Sequence, residues 1–285
     1  MTASAPRVFA PSKVSIHQDR VNAYLNGERV YPVTMELDLT QLCTRCCPSC
    51  PYGVSRQAGL TLSLPFLDRL FSILGPHTPG LVLSGGEPTY VPHFPETAAL
   101  AKAKGFKEIA VISNGTRLHV PEVQDALLRH VTSVRISMYD WQDGDSDSFL
   151  ATLRAVERLR RRVEQEGSEL EIGAAMLTRK EWNPRVRDVG LRILNSGVDW
   201  LYFHPYCVDW EIDRPVQADQ EGVLDAIEGL RRSAPAGANI QVPYERYSRE
   251  PLVFKELHGS HFLIQVGADG INYAGPECKY DREYA

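Results

Sequence analysis

The sequence predicts an α/β fold in which a parallel sheet curls into a partial barrel, a (β/α)6 arrangement with a small α+β extension at the C-terminal end. Two observations predict it. Short apolar runs of strand length alternate with longer stretches that are apolar at helical spacing. The polar and glycine-rich motifs come directly after these runs, and ligand loops in α/β barrels gather at the carboxyl ends of the strands.

Six segments have the length and composition of buried strands, with helix-like segments between them. The predicted strands are Thr34–Thr40, Leu81–Leu83, Ile109–Ile112, Val134–Ile136, Ile172–Met176 and Leu201–Phe203. The predicted helices are Leu64–Leu74, Phe94–Lys104, Pro121–Val131, Phe149–Glu166 and Arg185–Leu194. We expect these elements to build the core of the protein.

The chain of 285 residues divides into three parts on this pattern. Residues 1–33 form an N-terminal extension, residues 34–206 form the core barrel, and residues 207–285 form a C-terminal extension that covers the substrate side. An Asn-Gly pair predicts a small hairpin over residues 23–30. In the C-terminal part we expect a helix at 219–232, followed by a hairpin whose strands are Phe262–Val266 and Ile271–Tyr273.

Charge and hydropathy exclude some classes of partner. The formal net charge is −5, whereas nucleic-acid-binding domains are usually basic. No apolar run approaches the roughly 20 residues that a transmembrane helix needs. Clustered, reducible cysteines without a targeting segment are typical of a reducing compartment. We therefore expect a cytoplasmic protein with no nucleic-acid partner and no membrane span.

Four of the six cysteines lie within eight residues, directly after the first predicted strand. Cys43, Cys47 and Cys50 have the spacing C-x3-C-x2-C, and Cys46 is left over. Three thiolates on one loop can converge on a soft metal centre and leave one iron of a 4Fe-4S cluster open. A structural zinc site needs a fourth ligand close by, and disulfides are typical of secreted chains. The spacing favours an iron–sulfur cluster over both alternatives.

Further motifs follow the later strands and complete a family pattern. In chain order they are Gly85-Gly86-Glu87-Pro88, Ser113-Asn114, Ser137 and Arg179. Together with the cysteine triad, they resemble the radical S-adenosylmethionine (SAM) superfamily over about residues 34 to 206. One departure is Ser49, which stands where the family usually has an aromatic residue against the adenine ring, so the adenine contact stays unassigned.

The resemblance implies two cofactors, a 4Fe-4S cluster ligated by Cys43, Cys47 and Cys50, and SAM. It assigns SAM binding to Gly85, Gly86, Glu87, Pro88, Ser113, Asn114, Ser137 and Arg179. The two glycines let the backbone approach the amino group of SAM without a Cβ clash, so a Gly86→Val change is expected to weaken SAM binding and spare the cluster. Arg179 has the forked donor geometry that suits the SAM carboxylate.

The resemblance also implies an activity. An electron donor such as flavodoxin or ferredoxin reduces the cluster, SAM is cleaved to a 5′-deoxyadenosyl radical, and the radical removes a hydrogen atom from the substrate. We expect a small-molecule substrate in specialised metabolism: a sugar, an aminocyclitol, a nucleoside or an amino-acid derivative. A peptide or protein substrate is the alternative. A non-enzymatic iron–sulfur or zinc binding module is a third hypothesis, which the order of the motifs disfavours.

Two residues outside these motifs are candidates for substrate chemistry. Cys278 follows the predicted C-terminal hairpin, an arrangement similar to the start of the SPASM or twitch extensions of some radical SAM enzymes. Only Cys207 and Cys278 lie outside the first cluster, too few for an all-cysteine auxiliary site. We expect Cys278 to donate a hydrogen atom in an epimerisation, with a buried structural thiol as the alternative. His204, at the end of the sixth strand, lines a pocket or is structural.

Overall fold

The computed structural model describes residues 16–48, 50, 59–141, 146–210, 215–248, 258–275 and 279–280. The strands in these residues are β1 (Thr34–Thr40), β2 (Gly80–Gly85), β3 (Glu108–Ser113), β4 (Ser133–Ser137), β5 (Glu171–Thr178), β6 (Trp200–Pro205), β7 (Cys207–Trp210), β8 (Pro215–Gln217), β9 (Ile240–Gln241), β10 (Leu263–Val266) and β11 (Asn272–Tyr273). The helices are α1 (Gln18–Leu25), α2 (Leu64–Leu74), α3 (Phe94–Ala103), α4 (Pro121–His130), α5 (Asp147–Glu166), α6 (Asn183–Asn195) and α7 (Val223–Ser233). No helix among the described residues is both long and apolar enough to cross a bilayer.

Strands β1 to β6 form the predicted α/β core. Each pairs in parallel with the next along the chain, and a helix connects each consecutive pair. Parallel pairing requires such crossovers, and the helices then cover one face of the sheet. Among the described residues, the sheet that contains these strands has nine strands in the order β11-β10-β1-β2-β3-β4-β5-β6-β9, and it does not close on itself. The predicted fold class is confirmed.

The two faces of the sheet differ in composition because side chains alternate along a strand. On β1, Met35, Leu37 and Leu39 are fully buried in the hydrophobic core shared with the helices. The opposite face, which we call the inner face, carries the residues between them. It has Glu36 and Asp38 on β1, Arg135 and Ser137 on β4, and Tyr202 and His204 on β6. Polar chemistry is therefore concentrated on the inner face.

The predicted N-terminal hairpin at residues 23–30 is wrong. Residues Gln18–Leu25 form α1, and Asn26 is its C-cap. Gly27 has a φ of +81°, and its amide donates to the Tyr24 carbonyl at 2.9 Å. An Asn-Gly pair tolerates the left-handed backbone that ends a helix as readily as the one that turns a hairpin. In this chain the Asn26-Gly27 pair ends α1.

The C-terminal hairpin is confirmed, since β10 and β11 pair antiparallel with Gln265 opposite Tyr273. What the sequence did not indicate is its partner. Strand β10 pairs in parallel with β1, with Leu263 beside Thr34, so the hairpin extends the main sheet. At the other edge β9 adds to β6. The predicted helix is also present, but α7 begins at Val223 rather than at residue 219.

A buried ion pair fastens residues 279–280 to the inner face of β1. The Lys279 ammonium lies 2.9 Å from Glu36 Oε1 and 2.9 Å from Asp38 Oδ1. The Tyr280 hydroxyl donates to Asp38 Oδ2 at 2.8 Å. The side chains of Lys279 and Asp38 are 0% and 1% exposed. Burial raises the pKa of Asp38, and the Lys279 charge opposes that rise.

Lys279→Met should destabilise the protein by about 3–5 kcal/mol, because removing one partner of a buried pair leaves the other charge uncompensated. Denaturant unfolding of the purified protein measures the change. The double variant Asp38→Asn, Lys279→Met removes the two fully buried charges and leaves only Glu36, which is 21% exposed, so it should recover most of the loss. A single variant as stable as the wild type would show that this ion pair does not anchor the C-terminal segment.

Candidate active site

The cysteine loop follows β1 directly, at the carboxyl end of the strand. Within this loop Cys46 is exposed, and Cys43, Cys47 and Cys50 are partly buried. Burial raises the pKa of the Cys47 thiol; Cys50 adds to the rise, Arg45 opposes it, and Cys43 adds to it again. Cys43 and Cys50 therefore both lie close enough to Cys47 to act on its thiol.

These thiols are soft donors of the kind that hold iron–sulfur clusters. Among the described residues, no three His, Cys, Asp or Glu side chains are already arranged as a complete metal site. The fit to a cluster therefore depends on the donor chemistry of the triad and on the contacts that position its loop. Those contacts come from the motifs after β2 and β3.

The glycine pair after β2 packs on the backbone that enters the cysteine loop. Gly85 has a φ of +114°, a conformation that side chains rarely tolerate. A Cβ on Gly86 would lie 2.0 Å from the Leu42 carbonyl oxygen and 2.6 Å from its carbon. The amide of Glu87 donates to the same Leu42 oxygen at 2.8 Å. Since Leu42 precedes Cys43, these glycines shape the cysteine loop as well as any cofactor pocket.

The Glu87 side chain is fully buried and joins the second motif to the third. Its Oε1 accepts from the Thr89 amide at 3.1 Å, the Thr89 hydroxyl at 2.5 Å and the Ser113 hydroxyl at 2.9 Å. Its Oε2 accepts from the Asn114 amide at 2.6 Å. Burial raises the pKa of Glu87, and these hydrogen bonds oppose the rise. The donors come from the protein itself, a positioning role that the sequence did not indicate.

Asn114 carries the connection from Glu87 to the cysteines. Its Nδ2 donates to Thr44 Oγ1 at 3.0 Å and approaches Cys43 Sγ at 3.5 Å. Its Oδ1 accepts from the amide and hydroxyl of Thr116 at 3.0 and 2.7 Å. The two threonine hydroxyls lie 2.7 Å apart. The polar residues predicted to touch SAM thus also hold the loop that carries the metal ligands.

A second attachment of the cysteine loop is an ion pair. Arg45 NH1 lies 2.7 Å from Asp140 Oδ2, just after β4. Its NH2 donates to the hydroxyls of Ser148 and Thr152 in α5, at 3.2 and 3.3 Å. No local pattern in the sequence predicts the partners of Arg45, because they are distant along the chain.

The remaining predicted residues lie at the ends of later strands. Pro88 is buried and begins a short 3-10 turn after Glu87. Ser137 ends β4 on the inner face, level with Ala175 of β5. Arg179 makes no described hydrogen bond to this network; it pairs with Glu181 at 2.5 Å. Its guanidinium also lies 5.4 Å from the centre of the Trp182 ring.

Cys278, Ser49 and the predictions made for them lie outside the described residues.

Comparison with known families agrees with this arrangement. Residues 37–168 match the model of the radical SAM superfamily, a span that includes the cysteine triad, the glycine motif and the motif after β3. Residues 37–168 therefore carry a radical SAM domain, whose cofactors are a 4Fe-4S cluster and SAM. No curated protein sequence matches the chain.

Solved structures show the same fold. The SuiB protein of Streptococcus suis bound to S-adenosylmethionine superposes with a TM-score of 0.69 at 10% identity, over 95% of this chain and 67% of that one. SuiB bound to precursor peptide SuiA gives 0.69 at 10% identity, over 96% and 66%. Native anSMEcpe with bound AdoMet and Cp18Cys peptide gives 0.61 at 15% identity, over 88% and 75%. The present chain spans about two thirds of the length of SuiB.

The structure makes a specific prediction about the cluster ligands. Single changes of Cys43, Cys47 or Cys50 to Ala should each abolish the charge-transfer absorbance of the anaerobically reconstituted protein. Cys46→Ala is the matched control, because Cys46 lies in the same loop but is exposed. Iron and sulfide content measures the outcome independently. Loss of the cluster in Cys46→Ala with retention in Cys47→Ala would contradict the assignment.

Gly86→Ala should lower the iron content as well as the affinity for SAM. This outcome differs from the expectation drawn from the sequence, because the added carbon collides with the Leu42 backbone rather than with the cofactor alone. Iron content after reconstitution and titration with SAM measure the two effects separately. Gly237→Ala is a control, since a Cβ there meets no atom within 4 Å despite its positive φ. Full iron content in Gly86→Ala would overturn this reading.

Proposed function

We propose that this radical SAM enzyme removes a hydrogen atom from a small-molecule substrate held at the inner face of the sheet. The observation that carries the proposal is the hydrogen-bonded connection from Glu87 through Asn114 to Cys43. It brings the ligand loop and the SAM motifs to the same edge of the sheet. When bound, the cluster and SAM supply one-electron cleavage to a 5′-deoxyadenosyl radical that can remove hydrogen from a C–H bond.

The residues of the chain then have distinct tasks. Cys43, Cys47 and Cys50 hold the cluster, while Gly85 and Gly86 offer backbone groups to the amino end of SAM. Glu87 and Pro88, which are both buried, hold the turn after Gly86 in place. For the rest of SAM we propose Ser113 and Asn114 at the methionine or ribose side, Ser137 at the ribose and Arg179 at the carboxylate. Such positioning is the protein's share of radical chemistry.

We propose that the C-terminal extension, residues 207–285, covers the substrate side. Two contacts support this. Lys279 and Tyr280 bind Asp38 on the inner face of β1. Asp38 in turn lies beside the glycine motif after β2, because a Cβ on Gly85 would be 3.2 Å from the Asp38 Cα and Cβ. Residues 279–280 thus reach the strand beside the motif that we propose binds SAM.

A peptide or protein substrate is the second candidate. The solved structures of SuiB with precursor peptide SuiA and of anSMEcpe with Cp18Cys peptide share this fold. A small molecule is favoured by the inner face, which presents a compact set of polar side chains, Arg135, Tyr202 and His204, close to the position proposed for ribose.

We propose flavodoxin or ferredoxin as the electron donor and the cytoplasm as the location. The exposed Cys46 places part of the cysteine loop at the protein surface, where a docked donor can approach the cluster. Four cysteines clustered in one loop suit a reducing compartment.

Reductive cleavage of SAM tests the proposed chemistry. The reconstituted enzyme, reduced with dithionite, should convert SAM to methionine and 5′-deoxyadenosine, which chromatography with mass detection quantifies. Cys47→Ala should lower the rate to the background of the reagents, because no cluster delivers the electron. Cys46→Ala should keep the wild-type rate. No 5′-deoxyadenosine above background from a fully loaded enzyme would refute the proposal.

We further propose that Cys278 ends the reaction as a hydrogen-atom donor, which would make it an epimerisation. Its S–H bond breaks and a substrate C–H bond forms. One further electron from the proposed flavodoxin or ferredoxin and a proton from solvent return the resulting thiyl to the thiol. Lys279, the next residue in the chain, binds Asp38 on β1 beside the glycine motif.

In deuterated water the epimerised product should therefore gain one deuterium at carbon, because the thiol proton exchanges with solvent. Cys278→Ala should still cleave SAM but should lose the product, while Cys207→Ala serves as the cysteine control. Mass spectrometry of the product measures both. A product without deuterium, or unchanged turnover in Cys278→Ala, would exclude the role, and loss of iron in that variant would indicate an auxiliary cluster instead.

A further inference from the structure

A group of hydrogen-bond donors lies on the inner face near the end of β6. His204 lies beside Tyr202, with 4.4 Å between the ring centres. Arg246, from the short turn Tyr244–Tyr247, brings NH1 to 3.4 Å from His204 Nδ1. The chemistry of these side chains is unused by the cluster and SAM motifs described above.

The contact with Arg246 determines the tautomer of His204. A guanidinium only donates hydrogen bonds, so His204 Nδ1 must accept and the proton of the neutral ring must be on Nε2. Burial lowers the pKa of His204 well below its usual range, and the charges of Arg135 and Arg246 lower it further. The ring is therefore neutral, with an Nε2–H group. Nε2 is buried and has no hydrogen-bond partner among the described residues.

An unsatisfied buried donor is uncommon in folded proteins, where it costs about 1–3 kcal/mol. One explanation is an acceptor supplied by a ligand. The surroundings restrict which ligand it can be. Burial raises the pKa of Tyr202, whereas the charges of Arg246 and Arg135 lower it and that of Glu245 raises it. Arg246 and Glu245 are both exposed, and the charges of Arg135 and Arg246 both act on His204.

The position of Tyr202 and His204 relative to Ser137 indicates where a ligand of this group would lie. Ser137 pairs in register with Ala175, and Ala175 pairs with Tyr202. The small Ala175 therefore separates the proposed ribose position from Tyr202, and His204 lies two residues further along β6. A substrate bound here would lie next to the position proposed for the ribose of SAM.

We propose that His204 and Arg246 bind an anionic group of the substrate, a carboxylate or a phosphate. The inference rests on the proposed function, in which the substrate lies on the inner face. The Arg246 guanidinium and the His204 Nε2–H offer only donors, and one anion can accept charge-assisted hydrogen bonds from both. The substrate class narrows to acidic or phosphorylated metabolites.

Anion binding to the SAM-free holoenzyme tests the proposal without turnover. Inorganic phosphate and acetate are titrated separately by calorimetry at constant ionic strength, which distinguishes a phosphate site from a carboxylate site. At least one should bind saturably, and Arg246→Gln should weaken it by about tenfold or more. His204→Phe should weaken it similarly. Arg187→Gln, an exposed α6 residue paired with Asp188, should leave the affinity unchanged.

A second arm separates a substrate site from the SAM carboxylate. The same anion should bind with unchanged affinity when SAM is saturating, and Arg246→Gln should keep wild-type affinity for SAM. Competition between SAM and the anion would overturn the inference, as would the absence of saturable binding of either anion. Failure of the proposed radical SAM chemistry is detected separately, because the same preparation would then form no 5′-deoxyadenosine.

Discussion

The buried carboxylate of Glu87 holds the parts of the active site together. It accepts hydrogen bonds from Thr89, Ser113 and Asn114, while its own backbone amide binds the Leu42 carbonyl. Donors on two segments, Thr89 after β2 and Ser113 with Asn114 at the end of β3, converge on one side chain that water does not reach. Burying such a group is costly unless it is fully hydrogen-bonded, so these contacts hold the two segments together. The position of Cys43 follows, because Asn114 and Leu42 fix the loop on either side of it.

Charge on the inner face is divided between its two sides. On β1 the buried Lys279 ammonium offsets part of the negative charge of Glu36 and Asp38. On β4 and the turn after β9, the charges of Arg135 and Arg246 act on His204. The C-terminal segment thus lowers the negative charge on the side of β1, beside the glycine motif. An anionic substrate would meet less repulsion there and would find the donors of His204 and Arg246 on the other side.

The sequence predicted the order of strands β1 to β6 and the helices between them because each has a clear local period. Boundaries such as Thr34–Thr40 and Leu64–Leu74 agree with the structure. The Asn26-Gly27 pair was misread, because the same dipeptide ends helices and turns hairpins. The pairing of β10 with β1 joins segments far apart in the chain, so no local pattern announces it. The site followed the same rule: the motif residues were identifiable, whereas the partners of Arg45 and Lys279 were not.

Coordination of SAM to an open iron of the cluster is the central claim, and electron paramagnetic resonance of the reduced enzyme tests it most directly. In the proposed function, three cysteine ligands would leave one iron available, and the glycine motif, which packs on the cysteine loop at Leu42, would hold SAM beside it. Saturating SAM should therefore change the g-values of the reduced cluster, and removal of SAM by gel filtration should restore them. A signal that is identical with and without SAM, in protein whose iron content shows a complete 4Fe-4S cluster, would contradict the claim.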